Sequence, residues 1–106
     1  MYMKAVWKDK VIAEAPQEDL IFIESNWYFP PASVKKEFLR KSDTPYTCPW
    51  KGVCQYYDVG AGEGWSADNA WSYPEPKPSA IEIVKKSSGK DFSDYVAFWR
   101  DVKVGE

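Results

Sequence analysis

A chain of 106 residues is the size of one domain and too short for two independent cores, which excludes a multi-domain machine and makes residues 1–106 a single domain. With 44% hydrophobic and 28% charged residues it has the composition of an ordinary globular protein, so disordered and fibrous classes are excluded. The net charge is -2 and no basic run is longer than Lys35-Lys36 or Lys85-Lys86; without a concentrated basic face to displace counterions from phosphates, nucleic acid is not an expected partner.

Along the chain, Met3 to Trp7 alternates apolar and polar residues, Asp9-Lys10 makes a polar break and Val11 to Ala15 follows, a pattern that predicts a hairpin. Leu20 to Glu24 is an apolar, β-branched run of strand length. After the turn signal Ser25-Asn26, Trp27-Tyr28-Phe29 leads into Pro30-Pro31, where a ladder cannot continue. Ser33 is then a candidate N-cap for a short helix over Val34 to Arg40, with Val34 and Phe38 one turn apart on one face. Lys41 to Pro45 ends that helix, since a residue before proline avoids helical backbone, and Tyr46 to Gly52 reads as a loop.

Val53 to Val59 reads as a strand, Gly60 to Gly64 as a turn and Trp65 to Tyr73 as the next strand. The glycines of that turn precede no helix and make no phosphate loop. Pro74 to Pro78 is a stiff extended connection. Ser79 to Lys86 has helical or strand potential, Ser87 to Lys90 is a polar loop, and Tyr95 to Trp99 is a closing strand. The expected fold is mainly β with one or two short helices, at the margin of α+β.

Histidine is absent. That removes the usual general base near neutral pH, the imidazole-dependent triads and the commonest transition-metal ligand. Cys48 and Cys54 cannot complete a structural zinc site, which wants four ligands, so neither a metal nor a cofactor is expected. A nucleotidyl-transfer site would need paired metal-binding carboxylates beside a phosphate loop, and the sequence presents neither. Met1 to Lys8 lacks the uninterrupted apolar run of a secretory signal, and no stretch approaches the ~18 apolar residues of a membrane span. The expected setting is cytoplasmic, without a membrane partner and with both thiols reduced; oligomeric state is not legible. Aromatic residues make up 17% of the chain, more than a small core easily hides, so some are expected to line a cleft or a partner surface.

Five segments carry a resemblance: Val11-Ile12-Ala13-Glu14, Tyr28-Phe29-Pro30, Thr47-Cys48-Pro49-Trp50-Lys51-Gly52 with Tyr56 after it, Trp71-Ser72-Tyr73-Pro74-Glu75-Pro76, and Val96-Ala97-Phe98. In this order the chain resembles the family termed domain of unknown function 427 over nearly its whole length. The resemblance implies a small β-tent, two antiparallel sheets leaning together with a cleft between them. It implies no activity. Zinc-binding Cys pairs of some β-tent relatives are missing here, and the segment between Pro78 and Tyr95 is longer than the family's usual connection, leaving room for an added helix or loop.

The residues of these motifs form the candidate site. Trp71 and Tyr73 share a strand face and, with Tyr28, Trp50 and Tyr56, would floor an apolar pocket with polar tips. Glu14 points either to solvent or into a cleft; inward, it would need Lys51, Arg40 or a tyrosine hydroxyl as partner. Cys48 is either a small buried hydrophobe or a thiolate favoured by Lys51. The expectation is a cleft that binds a small molecule between aromatic residues, Glu14 and Lys51. The alternatives are an enzyme using the Cys48 thiolate or the Lys51 amine as catalytic group, and an interaction module presenting exposed aromatics. The candidate residues Glu14, Tyr28, Cys48, Lys51, Trp71 and Tyr73 are expected to converge on one region.

Overall fold

The computed structural model describes residues 1–62 and 64–106. In chain order it contains strands β1 (Tyr2–Trp7), β2 (Lys10–Pro16), β3 (Ile21–Ile23), β4 (Asn26–Phe29), β5 (Leu39–Cys48), β6 (Gly52–Ala61) and β7 (Gly64–Ser72), helix α1 (Pro78–Ser88), and strands β8 (Val96–Phe98) and β9 (Lys103–Gly105). They form two antiparallel sheets, one ordered β2-β1-β9 and one ordered β3-β4-β8-β7-β6-β5. The mainly β, two-sheet expectation holds. No helix among the described residues is long and apolar enough to cross a membrane.

Local chemistry explains the hairpins. Lys8 and Asp9 both take left-handed backbone (φ 46° and 65°) and close β1 onto β2, and Glu24 and Ser25 do the same between β3 and β4 (φ 49° and 69°). Two consecutive left-handed residues match the right-handed twist of the paired strands. The turn expected over Gly60 to Gly64 joins β6 to β7; its Glu63 lies outside the described residues.

Two expectations are corrected, and one unexpected strand is added. No helix runs from Val34 to Arg40. Instead, 3-10 turns cover Pro31–Ser33 and Lys36–Phe38, and β5 begins at Leu39. The chain is drawn onto β2: Val34 bridges Ala13, and the Lys35 N–H donates to the Ile12 carbonyl at 2.8 Å. Ser33 caps nothing; its hydroxyl donates back to the Pro30 carbonyl at 2.7 Å. The helix-ending stretch Lys41 to Pro45 and the first three residues of the loop expected over Tyr46 to Gly52 belong instead to the edge strand β5. Its side chains are largely exposed and show no apolar alternation, and Pro45 flanks the irregular stretch after Lys41, where an edge strand tolerates a missing N–H. Finally β9, which carries no sequence signal beyond three residues, pairs with β1.

The segment from Ser79 to Lys86 resolves as helix. Pro78 occupies its first turn, where a missing N–H costs nothing, and left-handed Gly89 ends it by donating to the Lys85 carbonyl.

Strand alternation splits the apolar residues into two clusters, one on each face of the six-stranded sheet. Between the sheets lie Met3, Ala5 and Trp7 of β1 with Ile12, Phe29, Val59, Ala70, Val96 and Phe98. On the far side, Tyr28, Cys48, Cys54, Trp71, Tyr73 and Ala97 pack with Ala80 and Val84 of α1. These side chains pack between the sheets, and the motif aromatics lie on the outer face.

Candidate functional site

On the outer face, alternate residues of adjacent strands bring rings together: Tyr28 from β4, Trp71 from β7 and Tyr56 from β6 point away from the inter-sheet core while Phe29 and Ala70 point into it. With Asn26, Tyr46, Lys51, Cys54, Tyr73 and Trp99 they line a cleft of about 250 Å³. The cleft that gathers the motif residues thus lies on the far side of the larger sheet, while Leu39, Tyr57 and Val96 of the inter-sheet cluster line a separate hollow of about 450 Å³.

Its rings touch in series. Trp71 meets Tyr28 edge-on, with centroids 6.1 Å apart, and meets Trp99 at 5.2 Å. Tyr56 lies nearly parallel to Trp99 at 6.4 Å and contacts Tyr46 at 6.4 Å. The Trp71 indole N–H donates to the Tyr28 hydroxyl at 3.0 Å.

Lys51 sits in the turn between β5 and β6. Left-handed Gly52 (φ 114°) redirects the chain there, and a Cβ on it would approach the Lys77 amide nitrogen to 3.4 Å. That close approach is a clamp: the Lys77 N–H donates to the Lys51 carbonyl at 2.9 Å and the Lys77 Nζ to the Pro49 carbonyl at 2.8 Å. The Cys-Pro-Trp-Lys-Gly loop is therefore bonded to Lys77, the residue that follows the Trp-Ser-Tyr-Pro-x-Pro motif.

The Lys51 side chain turns inward, and the residue as a whole is only 5% exposed. Its ammonium pairs with the Glu24 carboxylate and lies 5.1 Å from the Tyr73 ring centroid and 5.3 Å from that of Trp50. Burial works against its charge, but the Glu24 hydrogen bond and the nearby Tyr28 outweigh it, and the ammonium is held above its ordinary value. The Lys51 hydrogen bond conversely lowers the Glu24 carboxyl. Burial raises the Tyr28 and Tyr73 phenols and pushes the Cys54 thiol up to about 11.

Tyr28, Lys51, Tyr56, Trp71 and Tyr73 thus converge, and Cys48 is buried in the adjoining cluster. Trp50 packs beside the Lys51 ammonium without lining the cleft. Glu14 does not converge: it is exposed on β2 in the other sheet, opposite Lys4. Arg40, named as a partner for it, pairs instead with Asp58 at 3.1 Å. Glu24 supplies the carboxylate expected from Glu14. Nothing local in the sequence marks it, because the pair spans 27 positions. Asn26, Tyr46, Cys54 and Trp99 are likewise contributed by tertiary structure.

Both cysteines are free. Among the described residues no group of three or more His, Cys, Asp or Glu side chains is placed to hold a metal ion. A family model described as Domain of unknown function (DUF427) matches residues 2–104. No curated protein matches the chain.

Proposed function

Because the chain belongs to the DUF427 family, whose description names no activity, we propose a function from the geometry: the outer-face cleft binds a small molecule between its aromatic walls, with Lys51 as the charged anchor. The observation that carries this reading is the convergence of five side chains from three motif segments around one concavity, with a buried ammonium in its lining. A buried charge needs partners and is costly to maintain. A site with apolar faces and a few directed polar groups is suited to holding one end of a ligand by stacking and the other by hydrogen bonds.

Binding is favoured over catalysis on chemical grounds. A nucleophilic lysine needs its amine free at neutral pH, whereas the surroundings of Lys51 favour its ammonium. The Cys54 thiol is held protonated, and Cys48 is buried. The exposed rings Tyr46 and Trp99 border the cleft, which favours a pocket over a flat protein-binding patch. In this reading the partner is a small molecule, not nucleic acid or a membrane, and the protein works in the cytoplasm.

Titration with phenol, followed by tryptophan fluorescence, tests the reading. A saturable change that weakens in Tyr56→Ala and Trp99→Ala, both at half-buried or exposed positions, is expected. A signal that never saturates, or that both variants leave unchanged, would overturn it.

A further inference from the structure

The Lys51–Glu24 pair is lopsided. The lysine side chain is 6% exposed and the glutamate side chain 56% exposed. The cation is fixed between the rings of Trp50 and Tyr73 with Tyr28 nearby, while the anion stands at the tip of the β3–β4 turn, where two left-handed residues hold the backbone and leave the carboxylate exposed to water.

Beside the ammonium lies a second donor. Tyr28 is 1% exposed, and its oxygen accepts the Trp71 N–H; among the described residues its own hydroxyl proton is donated to no group. A fully buried O–H without an acceptor costs free energy. Tyr28 and Lys51 both line the cleft, so two donors face one small space.

We propose that the cleft's ligand is a small carboxylate, whose oxygens take the Lys51 ammonium over from Glu24 and accept the Tyr28 hydroxyl proton. The inference rests on the binding reading above and adds the chemical class. Glu24 already demonstrates that this ammonium receives a carboxylate. Exchanging one carboxylate for another keeps the buried charge compensated, returns Glu24 to water and satisfies Tyr28. A cationic ligand would meet the Lys51 charge, and a neutral one would leave Glu24 in place. With about 250 Å³ available, the carboxylate must sit on a body about the size of one ring.

The test compares benzoate with benzamide, which match in shape and differ in charge, on the intact protein and on Glu24→Gln, an exposed substitution that leaves the core untouched. Tyr28→Phe is carried alongside. Wild-type protein is expected to prefer benzoate. Glu24→Gln removes the competing carboxylate, so it should bind benzoate about tenfold more tightly while benzamide affinity changes little; Tyr28→Phe should weaken benzoate. Unchanged or weaker benzoate binding in Glu24→Gln overturns the proposal. Equal affinity for the two probes overturns it too but leaves cleft binding standing. If neither probe binds to either protein, both readings fall.

Discussion

Tyr28 and Trp71 meet across an intervening strand, because Ala97 of β8 pairs with both of them and carries only a methyl group between their rings. The 3.0 Å hydrogen bond from the Trp71 indole to the Tyr28 hydroxyl closes over that alanine. A small residue at position 97 is therefore what lets two large ones build the cleft wall.

Two substitutions should expose this arrangement. Ala97 is completely buried, so Ala97→Leu would drive the rings apart and is expected to cost about 2 kcal/mol through overpacking. Tyr28→Phe leaves the Trp71 N–H buried without an acceptor and is expected to cost about 1–2 kcal/mol. Urea denaturation of both variants measures these costs; wild-type stability in Ala97→Leu would show that the rings do not meet over that methyl.

The pH dependence of stability follows from Glu24. Its carboxyl is lowered from the ordinary 4.5 by the Lys51 hydrogen bond, so its contribution is fully present above about pH 4.5 and is lost as pH falls through the folded-state value. Lys51 has the opposite sign: its contribution holds below its ordinary 10.5 and fades as pH rises through the raised folded-state value. The stability gap between wild type and Glu24→Gln should be constant near neutrality and close in acid. A gap that widens on acidification would contradict the pairing. The pair is half wet, so the gap itself should be modest.

These contacts show what was legible in the sequence. The β1–β2 hairpin, the Gly60 turn and the clustering of Tyr28, Lys51, Tyr56, Trp71 and Tyr73 follow from alternation, turn residues and motif order. The helix expected over Val34 to Arg40 fails because one apolar spacing, Val34 to Phe38, fits a helix equally well as two turns tethered to β2. Strand β5 lacks an apolar rhythm because an exposed edge strand buries almost no side chain. Glu14 lies within the apolar run of β2 and Glu24 directly follows that of β3; only the tertiary arrangement decides which one reaches Lys51.

Both thiols are expected to be inert. For Cys54, a rise from 9.0 to about 11 cuts the thiolate fraction near neutral pH about a hundredfold. Cys48 is 6% exposed, which denies reagent access. Iodoacetamide at pH 8 should label both slowly in the folded protein and rapidly in denaturant. Fast labelling of Cys48 that slows in Lys51→Met would instead revive thiol chemistry.

Gly60 is fixed by close approach and not by backbone angle. A Cβ there would stand 2.2 Å from the Gly64 carbonyl oxygen and 2.7 Å from the Trp65 Cα, both backbone atoms. Gly60→Ala is expected to cost about 3 kcal/mol as the β6–β7 hairpin is forced open. Gly62→Ala meets open space and pays only for left-handed backbone (φ 58°), about 1 kcal/mol. Equal costs in chemical denaturation would contradict the close approach.

The indole N–H resonances give the most direct measurement of whether the outer-face cleft is the binding site. Trp71 and Trp99 line it, whereas the Trp7 indole donates to Ser66 and the Trp65 indole to the Gly62 carbonyl, away from it. On titration with phenol, the Trp71 and Trp99 resonances should shift along a saturating curve while those of Trp7 and Trp65 stay in place. Movement of Trp7 or Trp65 with Trp71 and Trp99 silent, or shifts confined to the separate hollow lined by Lys36, Lys41 and Tyr57, would contradict the account.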